Sequence, residues 1–145
     1  MKRVILIVVI AGILVFGLIQ VIPYGHNHTN PPVTKEPNWD SPQTRALAKR
    51  ACFDCHSNET VWPWYSNVAP VSWLVQHDTE DGRRRLNFSE WGSGHLREPD
   101  EIYREIERGS MPPLQYFPTH PEARLSADEK TQLINGLKAT IAQTQ

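Results

Sequence analysis

The apolar residues of this chain fall into two kinds of pattern. From Val4 to Ile22 they run almost unbroken, without a charge and with Gln20 as the one polar side chain. A helix of that length spans roughly 28 Å, close to the hydrocarbon thickness of a bilayer, so the run predicts one transmembrane helix. Beyond it, apolar positions recur in short groups at helical spacing. Leu47 and Ala51 lie four apart behind Ser41-Pro42, an N-cap with proline in the first turn. Pro70 opens a second helix carrying Trp73, Leu74 and His77, and Asn87 with Glu90 reads as a capping pair for a helical turn around Phe88 and Trp91. Pro99-Asp100-Glu101 begins another helix, with acids at its positive end, Ile102 and Ile106 as its buried stripe and Gly109 as its stop. Ser126-Ala127-Asp128-Glu129 spells a capping box ahead of Leu133, Ile134, Leu137 and Ile141. Gly136 weakens that last helix by about 1 kcal/mol relative to alanine. No alternating strand pattern and no repeat emerge, so the expected fold class is all-α.

A chain of 145 residues has room for one compact domain. Its twelve prolines fall mainly between residues 23 and 121, which predicts short helices joined by long, stiff, Pro-rich loops. The expected organisation is an N-terminal anchor over 1–23, an extended linker over 24–40 rich in Pro, Asn, His and Thr, and a folded helical domain over 41–145. His26 and His28, in a polar linker, read as solvated. Lys2 and Arg3 precede the apolar run and the next charge is Lys35, so the N-terminus is expected in the cytoplasm and the remainder outside. A cleaved signal peptide is the competing reading. The run exceeds the usual signal core and Gln20-Val21-Ile22-Pro23 lacks a small-residue cleavage pattern; either reading exports the domain. A formal net charge of −1 argues against a nucleic-acid partner, which needs a basic surface.

The chemistry concentrates in Cys52-Phe53-Asp54-Cys55-His56, which uses both cysteines of the chain. Two thiols separated by two residues match the two vinyl groups of a haem, and the adjoining histidine is then held beneath the iron as an axial ligand. A disulfide framework normally shows more bridges, and a zinc site needs a second set of ligands. A thioredoxin-like dithiol belongs after a strand, whereas a helix precedes this one. Met111, in Gly109-Ser110-Met111-Pro112-Pro113, sits in a loop stiffened by two prolines and is the expected second axial ligand, with His77, His95 and His120 as competitors. Thioether ligation raises the reduction potential of the iron. Trp62, Trp64 and Tyr65 are candidates for one wall of a haem crevice, against ordinary packing. Arg83-Arg84-Arg85 is read as a solvated basic turn, with pairing to propionates as the alternative.

Several segments together resemble a known family. They are His28-Thr29-Asn30-Pro31-Pro32, Ala51-Cys52-Phe53-Asp54-Cys55-His56-Ser57-Asn58-Glu59-Thr60, Trp62-Pro63-Trp64-Tyr65-Ser66, Leu86-Asn87-Phe88-Ser89-Glu90-Trp91 and Met111-Pro112-Pro113. The sequence is similar to the bacterial haem-binding domain family, single-haem, cytochrome c-like, membrane-anchored proteins. The resemblance implies haem binding and a cytochrome c-like helical fold, although the stretch between His56 and Met111 is an insertion relative to a minimal cytochrome c. The expected function is covalent binding of one c-type haem for electron transfer at the outer face of the cytoplasmic membrane. The expected partners are redox proteins or membrane electron carriers, the cytochrome c maturation machinery and, through the N-terminal helix, membrane lipid. Two other classes stay open: a haem-based sensor or peroxidase-like enzyme with an exchangeable sixth ligand, and a haem-free thiol-disulfide oxidoreductase.

Overall fold

The computed structural model describes residues 1–93 and 98–143. Among them the chain is all-helical, with no strand and a single isolated bridge between Lys35 and Glu90. Helix α1 (Lys2–Ile19) buries none of its residues and has a mean hydropathy of 2.6, long and apolar enough to cross a membrane. Then come α2 (Pro42–Ala51), the single-turn α3 (Phe53–His56), α4 (Val71–Arg85), α5 (Glu101–Glu107) and α6 (Ala127–Ala142). Short 3-10 turns lie at Trp64–Asn67, Leu114–Tyr116 and Pro121–Ala123.

Local chemistry sets the ends of α2 and α6. The Ser41 hydroxyl accepts from the Thr44 N–H at 3.2 Å, and proline fills the first turn, where no donor is needed. At α6 the capping box is closed both ways: Ser126 Oγ accepts from the Glu129 N–H, and Glu129 Oε2 accepts from the Ser126 N–H at 2.8 Å. Helix α6 packs on α2 and α5, and α3 joins α2 to α4. The core between them holds Leu47, Phe53, Phe88, Trp91, Ile106, Leu133, Leu137 and Ile141. Burying each such side chain contributes about 1.5–3 kcal/mol. Gly136 lies where α6 crosses α2: a Cβ there would sit 1.9 Å from Thr44 Oγ1. The helix propensity lost at this glycine therefore goes into a closer helix–helix approach.

Helix α4, expected from Pro70, turns Ser72, Gln76, Thr79 and Gly82 inward and leaves Leu74 50% exposed. Its inner face meets the backbone of α3 and the 3-10 turn at Trp64–Asn67, where small side chains permit close approach. Residues around Phe88 and Trp91 form no helix. Asn87 Oδ1 accepts from the Ser89 N–H at 2.9 Å, a side-chain turn that competes with helical bonding, and Glu90 Oε1 accepts from Asn58 Nδ2 rather than capping Asn87. The two rings still reach the core, Phe88 and Trp91 stacking at 6.0 Å between centroids.

The segment over 24–40 carries no regular element, yet it is fastened along the domain. Asn30 Nδ2 donates to Thr60 O, Asn58 Nδ2 to Pro32 O, and the Thr34 and Lys35 N–H groups both donate to Ser89 O. Glu36 binds the Arg45 guanidinium through both carboxylate oxygens, at 2.7 and 2.6 Å. His28, expected in solvent, is half-buried: its Nε2 lies 3.0 Å from Ser66 O and its ring stacks on Trp62.

Candidate functional site

Phe53 is the residue that orients the cysteine-histidine segment. Its ring is 2% exposed, stacked on Phe88 at 5.5 Å, and this burial leaves Cys52, Cys55 and His56 on the outer side of the same turn, each with part of its surface open. The turn is closed by bonds from the N–H groups of Cys55 and His56 to Cys52 O, while the Cys52 N–H still completes α2 by donating to Ala48 O. Polar bonds hold the residues that follow. Ser57 Oγ donates to Phe53 O at 2.8 Å, and the Phe88 N–H donates to His56 O at 2.8 Å. Buried Asn58 receives Asn87 Nδ2 on its Oδ1 and gives its own Nδ2 to Pro32 O and Glu90 Oε1. Arg83 threads the assembly, donating to Ser57 O, Thr29 O, Asn30 Oδ1 and Thr60 Oγ1 between 2.8 and 2.9 Å.

The central geometric fact concerns His56. Its Nδ1 lies 3.1 Å from Gly82 O and 3.2 Å from Leu86 O, the terminal carbonyls of α4. Carbonyl oxygens only accept, so Nδ1 carries the hydrogen and Nε2 carries the lone pair. Among the described residues Nε2 makes no hydrogen bond. Burial holds the ring below the ordinary histidine range, against the pull of the two carbonyls, so it stays neutral. Fixing one ring nitrogen on a carbonyl while the other keeps its lone pair is how histidine ligands are aimed at metals. Gly82 makes this approach feasible: a Cβ there would stand 2.3 Å from Cys55 O. Only a residue without a side chain lets α4 come this close.

The two thiols are reduced and half-exposed. Burial pushes Cys52 up to about 12, aided by Cys55; burial likewise pushes Cys55 up to about 12, aided by the charges of Asp78 and Asp54. A raised thiol pKa is the opposite of the depressed pKa of an attacking cysteine. Among the described residues no three His, Cys, Asp or Glu side chains converge on a common metal position. Taken together, the paired uncharged thiols and the histidine with a free lone pair fit a haem held by thioether bonds and one imidazole.

The remaining expected site residues are placed unevenly. Met111 is 38% exposed, and its N–H donates to Glu105 O at the end of α5. No hydrogen bond joins it to Cys52–His56 among the described residues, but its loop is tied to that segment a few residues on, where Tyr116 OH donates to Asp54 Oδ2 at 2.6 Å. His120 stacks on Tyr116 at 3.8 Å and brings Nε2 to 3.8 Å from the same carboxylate oxygen. Asp54 burdens that phenol, since burial first and then this hydrogen bond raise the Tyr116 pKa. His77 is exposed, and His95 lies outside the described residues. Trp62 is stacked between expectations: its ring covers His28 at 4.6 Å, its Nε1 donates to Asn30 Oδ1, and the Arg83 guanidinium lies 6.0 Å from its centroid. Trp64 is 79% exposed, with Tyr65 edge-on to it at 5.8 Å. The basic triplet divides, Arg83 acting as the clasp described above while Arg84 and Arg85 both pair with Asp81.

Sequence reasoning missed Gly82, the Asp54–Tyr116–His120 cluster and the Asn58–Asn87–Arg83 frame. Gly82 alone left a trace, as a glycine inside a strongly polar helix with no turn to make. The pairings Asn58–Asn87 and Asp54–Tyr116 cross 29 and 62 residues of chain, separations that local spacing does not encode.

A helical domain that presents two thiols and an aimed imidazole from a single turn is a haem-binding class of structure. The sequence model of the haem-binding domain matches residues 14–139, nearly the whole chain, and the protein belongs to that family. Comparisons with curated proteins and with solved structures gave no match.

Proposed function

We propose that this domain carries one haem c, joined through thioether bonds to Cys52 and Cys55, with His56 as one axial ligand and Met111 as the other, and that it transfers electrons. Each attachment adds a thiol S–H across a vinyl group, with no net oxidation. The observation that carries the reading is the His56 ring, fixed through Nδ1 on Gly82 O and Leu86 O, with no hydrogen bond to Nε2 among the described residues. The bound group supplies a one-electron couple. The chain supplies a rigid imidazole, a thioether that raises the potential, and exclusion of water by the surrounding packing. Helix α1 holds the domain at the outer face of the cytoplasmic membrane, where Lys2 and Arg3 keep the N-terminus inside. Its partners are membrane or exported electron carriers and the cytochrome c maturation machinery. Cytochrome c-like packing of α2, α5 and α6 around the haem is part of the same proposal.

A second reading has its own observation. Met111 is 38% exposed and held through its backbone, so its thioether is an exchangeable ligand, and the open position then suits a gas sensor or peroxidase-like centre. The chain matured with haem-attachment machinery separates these readings. Colour retained through acid-acetone extraction and a weak red ferric iron–thioether band that disappears in Met111→Ala support the six-coordinate carrier. Rapid carbon monoxide binding to the reduced parent, without that band, favours the exchangeable site. Absence of that band from the parent, with a six-coordinate spectrum that survives Met111→Ala and is lost in His120→Ala, moves the second ligand to His120.

A further inference from the structure

We propose that the face formed by Trp64, Val71 and Leu74 rests in the outer leaflet of the same bilayer that α1 crosses, so that the haem domain is held at a fixed attitude on the membrane rather than on a free tether. The proposal rests on the reading of α1 as a membrane anchor. Three observations carry it. The first is a staple at the exit of α1: Gln20, the one polar side chain of the apolar run, gives its Nε2 to Ala69 O at 3.0 Å and accepts the Ala69 N–H on its Oε1 at 2.9 Å. Ala69 is fully buried, so this bidentate contact binds the end of the spanning helix to the domain just ahead of α4. Tyr24 OH to Glu80 Oε2 and His28 Nε2 to Ser66 O continue the seam along α4 and the neighbouring 3-10 turn.

The second observation is charge. Residues 61–76, which surround the staple on the domain side, contain no Asp, Glu, Lys, Arg or His, and the anchor side is charge-free from Val4 through Gly25. The two uncharged stretches meet at Gln20 and Ala69. The third is exposure. Trp64 is 79%, Leu74 50% and Val71 43% exposed, beside Val21 at 79% and Ile22 at 41%. Val71 and Leu74 stand three apart, on one side of α4. Exposed apolar side chains of this kind mark a contact surface, and tryptophan is enriched where a bilayer meets water. The bilayer is the occupant because the helix of spanning length is bonded, through Gln20, to Ala69, two residues ahead of Val71. In this arrangement Trp64 faces lipid instead of walling a haem crevice, and Val71 and Leu74 are exposed on α4 for the same reason.

Photo-crosslinking of the full chain in phosphatidylcholine–phosphatidylglycerol vesicles tests this, with p-benzoylphenylalanine in place of Leu14, Trp64, Leu74 or Asn135, one position at a time. Mass analysis should find phospholipid adducts at 14, 64 and 74 and none at 135, which is exposed on α6. Gln20→Ala should lose the adducts at 64 and 74 while keeping the one at 14. An adduct at 14 alone overturns the docking and leaves the anchor standing. No adduct at 14 overturns both. Crosslinks from 64 or 74 to a second copy of the chain, in place of lipid, overturn the proposal in favour of self-association. Adducts at 64 and 74 that survive Gln20→Ala overturn the role given to that residue.

Discussion

The turn bearing Cys52, Cys55 and His56 and the loop bearing Met111 are held in two opposite ways. The first has its backbone and neighbours bonded on every side: Phe53 in the core, Ser57, Asn58 and Asn87 in a buried polar frame, Arg83 as clasp, and His56 aimed by two carbonyls. The second is held at its ends, by Glu105 O on one side and the Tyr116–Asp54 bond on the other, and leaves Met111 more than one-third exposed. The chain alone preorganises the attachment side. The opposite side is the part free to differ between a closed electron carrier and an exchangeable site.

Substitutions on the two sides should therefore behave differently. Phe53→Ala removes the buried ring that orients the turn; it should cost about 3–5 kcal/mol in chemical denaturation and sharply reduce haem attachment. Gly82→Ala drives a methyl into the Cys55 carbonyl and should cost about 1–3 kcal/mol. Its hydrogen-exchange signature should be lost protection over residues 52–58 and 82–88, with the Met111 loop unchanged. Tyr116→Phe should cost only ~1 kcal/mol, because the bond it removes is half-exposed. Unlike the first two, it should alter the sixth ligand seen by absorption spectroscopy while leaving covalent attachment intact. If Tyr116→Phe impaired attachment as much as Gly82→Ala does, the contrast between the two sides would fail.

The smallest expected effect lies at the seam between 24–40 and α2. The Arg45 hydrogen bond and that of Trp39 hold Glu36 below the ordinary carboxylate range, against the opposing effect of burial. A depressed carboxylate stabilises the fold above its unfolded pKa, and the contribution drains away as pH falls through the folded value. Below about pH 4.3, the stability of the parent should consequently fall more steeply than that of Glu36→Gln in acid titrations of the denaturation midpoint.

How much of this was legible beforehand follows from the range of the interactions. The caps of α2 and α6 are written within three or four residues, and Ser41 and Ser126 act as their sequence indicates. The Cys52–His56 turn is equally local. Helix α4 was located, but its inner face was not legible, because burial there is set by close backbone approach and not by apolar content. Asn87 looked like a cap and serves a turn: its Oδ1 accepts from the Ser89 N–H two residues on, while its Nδ2 is held by Asn58, which lies nearby only after folding. Gly136 was visible as a cost to its helix; that it makes room for Thr44 was not, with the two residues distant in sequence. The frame that aims His56 depends wholly on such distant pairings.

The intact mass of the full chain, matured where cytochrome assembly is active and measured under denaturing conditions, tests the central claim most directly. One haem's added mass on a chain with no free thiol is the predicted result, together with loss of the adduct in the Cys52→Ala/Cys55→Ala variant. A correctly folded chain at its bare polypeptide mass, colourless and with both sulfhydryls open to alkylation, would contradict it.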